Sequence, residues 1–304
     1  AAGGAVATLP ANKTTLVMNN GTEPETLDPG KSSGVPEDNI QRQLLEGLVV
    51  VGKDGKIAPG VATSWENKDF KVWTFKLRDN AKWSNGDPVT AEDFVYSWQR
   101  LTDPKTASPY GSYLVDAHVV GAQAILDGKA KPATLGVKAI DPHTFEVTLS
   151  EPVPYFVDML THSSVFPVHK GTVEKFGEKW TQAGNFVGNG AYTLKEWTVN
   201  SKIVLERNKN YWNDAATQIN QAEFLPIQEE TTDVNRFKAG EIDATYNSLP
   251  TDMFAQLKTE LGDQVHVNPS LCTYYYEMNT KKAPFDNPKV RRALSLTLDR
   301  DVIT

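Results

Sequence analysis

The sequence predicts an α/β protein made of more than one domain. Short segments with period-2 apolar alternation are mixed along the chain with segments carrying 3.6-period apolar stripes. At 304 residues the chain is long enough to bury a large core and to divide into domains. Its 39% hydrophobic and 23% charged residues are the proportions of a globular protein rather than a disordered one.

The elements follow in order. Thr15–Asn19 reads as a first strand. VPEDNIQRQLLEGL at 35–48 opens a helix, with Pro36, Glu37 and Asp38 as start signals and Ile40, Leu44, Leu45 and Leu48 as one stripe. KDGK at 53–56 is a turn. Trp73, Phe75 and Leu77 alternate with Val72, Thr74 and Lys76, which predicts a strand. Asn85-Gly86-Asp87-Pro88 turns the chain, and Thr90 to Asp93 matches the helix-start box, followed by the buried-face pattern Phe94, Val95, Trp98 and Leu101. A strand pair is expected over 137–140 and 145–149, joined by Asp141-Pro142-His143-Thr144.

From about residue 190, AYTLKEW, KIVLERN and EFLPI read as strands. TTDVNRFKAGEID reads as a helix with Gly240 near its end, and 251–261 as another with Phe254, Leu257 and Leu261 on one side. VHVNP leads into LCTYYYEMN at 271–279, read as a strand. FDNPKVRRALSLTLDRDVIT starts a helix with Pro288 in its first turn, and no stop signal follows, so more protein is expected beyond Thr304. No internal repeat is visible.

Charge and motifs narrow the function. A net charge of −7 argues against nonspecific nucleic-acid binding, which needs clustered Lys and Arg. No apolar run approaches the ~20 residues that span a bilayer. The start, AAGGAVATLPANK, lacks the charged and apolar parts of a signal peptide and fits a mature end left by cleavage. No phosphate loop or nucleophile elbow is present. Gly188-Asn189-Gly190 reads as a turn before the Tyr192 strand. The five histidines, 118, 143, 162, 169 and 266, lack metal-ligand spacing, so neither a metal nor a cofactor is expected. No nucleophile, base and orienting group fall into a recognisable set, so no enzyme is implied; a secreted peptidase is the reading from another class.

The aromatic stretch is the most suggestive. On a strand, Thr273, Tyr275 and Glu277 would share one face, and Cys272, Tyr274, Tyr276 and Met278 the other. Phenol and carboxylate together suit a wall for a polar, partly apolar ligand. The same pattern also suits a half-buried strand whose hydroxyls reach water. Cys272, the single cysteine, is either a small buried thiol or half of a pair.

WTFKLRDNAKWSNGDPVTAEDFVYSWQR resembles the signature region of the family 5 bacterial extracellular solute-binding proteins. ETLDP, GVPEDNIQRQLLEGL, APGVATSW, DPKTASPY, EPVPYF, GNGAYTLKEW, YWN, GEID and LCTYYYEMN extend the resemblance, in order, over nearly the whole chain. The resemblance implies a two-lobed, type II-like periplasmic-binding-protein fold with an extra α/β domain. A base lobe would combine 1–45 with 170–271, the extra domain would be 46–169, and 272–304 would begin a second lobe that is largely absent from this chain.

It further implies a monomeric periplasmic receptor of a Gram-negative cell, exported with its signal peptide removed. Such a receptor binds short peptides through backbone and termini and hands them to the permease subunits of an ABC importer. A murein-tripeptide receptor is the alternative within the family. Carried over residue by residue, Val35 would pair with ligand backbone, Asn247 would make a polar contact, Tyr110 would wall the ligand, and Tyr275 and Glu277 would line a side-chain pocket. His162 would sit at most on the rim. The resemblance implies a disulfide for Cys272 with a partner outside this chain. The family pattern has an acidic residue before Gly-Val-Pro, where this chain has Ser33-Gly34; that departure shifts weight to Glu277.

Overall fold

The computed structural model describes residues 13–268 and 273–303. They form two compact units, divided between Phe254 and Ala255.

The first unit is organised by two four-stranded sheets. One contains β1 (Thr15–Asn19), β8 (Tyr192–Thr198), β9 (Lys202–Arg207) and β10 (Gln221–Leu225) in the order β1-β10-β9-β8. β1 runs parallel to β10, with Thr15 opposite Gln221 and Asn19 opposite Leu225; the other pairings are antiparallel. The other sheet contains β4 (Ala62–Lys68), β5 (Val72–Leu77), β6 (Val137–Asp141) and β7 (Thr144–Thr148), antiparallel throughout, in the order β4-β5-β7-β6. A small ribbon pairs β2 (Val49–Val51) with β3 (Ile57–Pro59) around the KDGK turn.

The alternation in β5 has the physical meaning expected of it. Trp73, Phe75 and Leu77 are buried, while Val72, Thr74 and Lys76 are more open. α2 (Ala91–Thr102) lies over this sheet and begins with the predicted box: Thr90 N–H donates to the Asp93 carboxylate, which also takes the Trp83 indole N–H. Phe94, Trp98 and Leu101 point inward, and the Trp98 ring meets Phe145 edge-on at 5.1 Å. Short helices α3 (Tyr113–Asp116), α4 (Ala122–Leu126) and α5 (Phe156–Met159) follow, with Phe156 of α5 5.7 Å from the Trp73 ring, and α6 (Lys170–Phe176) leads back toward β8.

α1 (Val35–Leu44) is shorter than its stripe suggests. It stops at Leu44, and Leu45 is already extended. Leu45 and Leu48 are nonetheless buried, because the chain after the helix runs through the core. What ends the helix is a crossing strand of chain. The Leu44 carbonyl accepts the Gly190 N–H, and the Asn189 side chain accepts from Glu46 N–H and donates to Glu46 C=O. A Cβ on Gly188 would lie 2.1 Å from the Leu44 carbonyl oxygen, and one on Gly190 2.4 Å from that of Gln43. The Gly-Asn-Gly triplet is therefore a close-packing device as well as a turn.

α7 (Glu230–Lys238) ends before Gly240, which has φ 74°. The second unit contains α8 (Phe254–Leu261), which starts at the boundary, and α9 (Pro288–Leu296), which carries Pro288 at its start. The sequence predicts one helix running from Pro288 toward the end of the chain. Instead α9 stops at Leu296, and a separate turn, α10, covers Arg300–Ile303. The tyrosine segment is not a strand: 273–279 has no β-ladder among the described residues. A strand exists only through a partner, and alternation alone does not supply one. Tyr274 and Tyr276 still share a side, their rings 6.2 Å apart.

Gly190→Ala is expected to lower unfolding stability by about 1–3 kcal/mol, because the new methyl meets backbone that cannot step aside. Urea unfolding measures it; an unchanged midpoint would show that the crossing is loose.

Candidate functional site

The outward face of α1 organises the candidate surface of the first unit. Ile40, Gln41 and Leu44 face the core, so Val35, Asp38 and Arg42 share the open side at helical spacing. Val35 is the first helical residue and is 49% exposed. Its N–H has no acceptor within the helix and none elsewhere among the described residues, which leaves a backbone donor open to a ligand.

Around the start of α1 the chain is pinned by side-chain amides. Asn20 donates to the Pro36 carbonyl at 3.0 Å and accepts from Asn39. Glu37, buried, accepts the Glu25 N–H. The Glu37 charge also bears on Tyr246, whose hydroxyl is raised above the ordinary tyrosine range first by burial and then by that carboxylate. The neighbouring Asn247, which is exposed, opposes that rise. This end of the surface thus holds Val35 and the Tyr246-Asn247 pair.

At the other end lie aromatic rings. Arg42 pairs with Asp38 one turn back and sits 5.8 Å from the Phe166 ring centroid. Both charges act on His162. The His162 ring stacks on Tyr113 at 4.7 Å and meets Tyr110 edge-on at 4.4 Å. Its Nδ1 accepts the Ser164 N–H, which leaves the remaining ring proton on Nε2. Burial is the largest influence on His162 and lowers its pKa, with Asp38 opposing. Tyr113 donates to the Met159 carbonyl, so Tyr110 rests against two fixed rings.

Of the predicted residues, Val35, Asn247 and Tyr110 lie in the first unit, with α1 running between the Tyr246-Asn247 end and the His162–Tyr110 end. Tyr275 and Glu277 lie in the second unit, both exposed, Tyr275 by 71%. Cys272 lies outside the described residues. Sequence reasoning passed over Asp38 and Arg42, although their spacing from Val35, opposite the Ile40–Leu44 stripe, was readable.

One histidine forms a nucleophile-like array. His169 joins Asp87 through Nε2 at 3.0 Å and Thr172 Oγ1 through Nδ1 at 2.7 Å. Nδ1 also accepts the Thr172 N–H as the cap of α6, and the threonine is buried. The arrangement caps a helix.

The chain matches the family model described as bacterial extracellular solute-binding proteins, family 5 middle, over residues 56–304. It belongs to that family. It is 63% identical to the periplasmic oligopeptide-binding protein OppA of Escherichia coli K12 over 96% of this chain and 54% of that protein. Among solved structures it resembles Haemophilus influenzae OppA in complex with RPPGFSPFR, with a TM-score of 0.93 at 55% identity, over 96% of this chain and 57% of that one. The Escherichia coli murein tripeptide binding protein MppA aligns with a TM-score of 0.94 at 49% identity, over 98% of this chain and 58% of that one. The chain thus spans little more than half the length of these family members, which are two-lobed periplasmic binding proteins.

A strongly displaced carboxyl of the first unit lies away from this surface. Glu46 is pushed from 4.5 up to about 7 by burial, although Tyr211 and Trp212 donate to it and the Arg78 charge favours its ionised form. Arg78 lies 3.4 Å from the Trp212 ring centroid and donates to the Gly60 carbonyl. Because the folded pKa lies above the unfolded one, the folded state binds the proton more tightly. This contribution is complete below pH 4.5 and lost as pH rises through about 7, a change of the order of 3 kcal/mol. Glu46→Gln is expected to remove that slope. Subtracting the variant's urea stability from wild type across this range isolates it, and a flat difference would place the Glu46 pKa near its ordinary value.

Proposed function

We propose that this chain is part of a periplasmic receptor that binds short oligopeptides and delivers them to an ABC importer. The observation that carries this is the similarity, over 96% of the chain, to an oligopeptide-binding protein solved with a peptide in place. In this reading 1–45 with 170–271 form the base lobe, 46–169 the extra domain, and 272–304 the start of a second lobe.

The physical logic is recognition of what peptides share. Val35 supplies an outward backbone donor, and Asn247 supplies an exposed amide. Tyr110, buttressed by His162 and Tyr113, supplies a rigid wall at low entropic cost. Tyr275 and Glu277 are assigned to a side-chain pocket. Backbone pairing gives affinity, and roomy, hydrated pockets tolerate different side chains. Within this reading the receptor acts as a monomer without chemistry on the peptide, and Cys272 pairs with a cysteine outside this chain.

Murein tripeptide is the second reading, favoured by the MppA alignment over 98% of the chain. The identity of 63% to OppA against 49% to MppA favours oligopeptides.

Thermal unfolding of the full-length protein with tri- to pentapeptides of L-amino acids is expected to move upward for unrelated sequences. A shift confined to a D-amino-acid-containing murein peptide would select the second reading, and a shift with nickel or a sugar alone would reject both. Tyr110→Ala is expected to weaken peptide binding by roughly tenfold or more through loss of an aromatic anchor. Mass spectrometry after incubation should find the peptide intact; cleavage would favour a peptidase.

A further inference from the structure

The chain contains three Asn-Gly pairs: Asn20-Gly21, Asn85-Gly86 and Asn189-Gly190. In such a pair the glycine backbone nitrogen can attack the Asn side-chain carbonyl carbon, and with no Cβ on the glycine nothing beside it hinders the approach. The fold treats the three pairs differently. Asn20 is 2% exposed, donates to the Pro36 carbonyl and accepts from Asn39, and the Tyr246 ring closes over Gly21. Asn189 is also buried, holds Glu46 N–H and C=O through both side-chain polar atoms, and has Gly190 pressed against backbone. Reaction at either pair requires breaking buried hydrogen bonds.

Asn85-Gly86 lies in the turn before α2, with both residues exposed. Gly86 has φ 93°, and among the described residues no atom beyond its two neighbours lies within 4 Å of where a Cβ would stand. The bonds that hold the pair are local. The Asn85 oxygen accepts the Asp87 N–H at 3.0 Å, its amide donates to the Asp87 carboxylate at 2.9 Å, and the Gly86 N–H donates to the Trp83 carbonyl at 2.8 Å. The two side-chain bonds are exposed, so the turn opens while the core stays folded. The flanking residues carry long-range ties. Ser84 N–H donates to the Gly188 carbonyl at 2.7 Å, Ser84 Oγ accepts the Gly188 N–H at 3.3 Å, and the Ser84 carbonyl accepts from the Asn210 amide at 2.9 Å. Asp87 meets His169 Nε2 at 3.0 Å.

We propose that Asn85 is a site of spontaneous deamidation selected by the fold, and that its isoaspartyl product loosens the turn from the Gly188 crossing. The Gly86 nitrogen gives its proton to hydroxide and bonds to Asn85 Cγ. The Cγ–Nδ2 bond breaks, and the amide group leaves as ammonia with a proton from water, closing a succinimide ring. Water then adds to one ring carbonyl carbon, and the bond from that carbon to nitrogen breaks. Addition at Cγ gives aspartate; addition at the main-chain carbonyl gives isoaspartate, whose chain runs through Cβ and is one carbon longer. Both products place a carboxylate beside Asp87 where a donor stood. The longer chain also changes the spacing between Ser84 and Asp87, so both cannot keep their distant partners. The inference is independent of what the protein binds.

The test keeps full-length protein folded at mildly alkaline pH, where hydroxide speeds the first step, and maps its peptides by mass spectrometry after chromatographic separation of the isomers. The Asn85 peptide is expected to convert at least about tenfold faster than the Asn20 and Asn189 peptides, and in urea that advantage should disappear. Asn85→Gln, which would have to close a larger ring, is the unreactive control. Aged wild type is expected to unfold at lower urea concentration than fresh protein, while aged Asn85→Gln matches its fresh form. Fresh Asn85→Asp carries the charge without the longer chain and is expected to lie nearer to fresh wild type than to aged. Conversion at Asn85 no faster than at the buried pairs, or an advantage that persists in urea, would overturn selection by the fold. An equal loss in aged Asn85→Gln, or a fresh Asn85→Asp as weak as aged wild type, would overturn the isoaspartyl effect.

Discussion

The first unit depends on one close approach of backbone to backbone. Gly188-Asn189-Gly190 crosses the end of α1 where no side chain fits, and Asn189 satisfies both backbone groups of Glu46. The crossing fixes where the helix stops, where the buried run Leu44, Leu45 and Leu48 lies, and how β8 leaves the junction. The adjacent Ser84 N–H donates to the Gly188 carbonyl, so the turn preceding α2 is tied to the same point. Glu46 belongs to it too, through Tyr211 and Trp212. Segments far apart in sequence meet there, and a shift in one would unpair backbone groups in the others, each costly when buried.

A second tie is ionic. Arg100 of α2 forms a two-pronged contact with Asp28, whose carboxylate also accepts from Gly30 N–H and the Trp180 indole. Asp28 is 3% exposed. Such a pair need not add net stability over an apolar replacement of similar volume, but losing one partner strands a buried charge. Its effect is therefore specificity of position. α2, which lies over the β4-β5-β7-β6 sheet, is held against the Glu25–Pro29 region that leads to α1.

Local signals explain which elements were legible in the sequence. The Thr90–Asp93 box, the Trp73-Phe75-Leu77 alternation and Pro288 at the start of α9 each rest on neighbours within a few residues, and each appears as expected. The end of α1 did not, because residue 190 decides it. The tyrosine segment misled for the opposite reason: alternation describes which way side chains point, while strand identity needs a partner that composition cannot reveal. The candidate surface was readable only in part. Val35 and Tyr110 were reached through resemblance, and Asp38 and Arg42 had a usable helical spacing.

α1 shows why such a surface can be both open and well defined. An open donor such as the Val35 N–H has a fixed direction only if the helix behind it cannot rotate or slide. Ile40 and Leu44 prevent rotation by burial, Gln41 is locked to Ser32 through reciprocal side-chain contacts, and the glycine crossing prevents sliding. The outward residues contribute little to this anchoring: Asp38 and Arg42 form a part-exposed pair, of a kind worth only about 0.3–0.5 kcal/mol on a helix. Substitution on that face therefore changes the chemistry offered to a ligand at small cost to the fold, whereas substitution on the inner face moves every donor on the outer one. Tyr110 follows the same division, with its ring open on one side and braced by His162 and Tyr113 on the other. Rigid support behind an exposed contact lets weak individual interactions add, because the ordering entropy has already been met in folding.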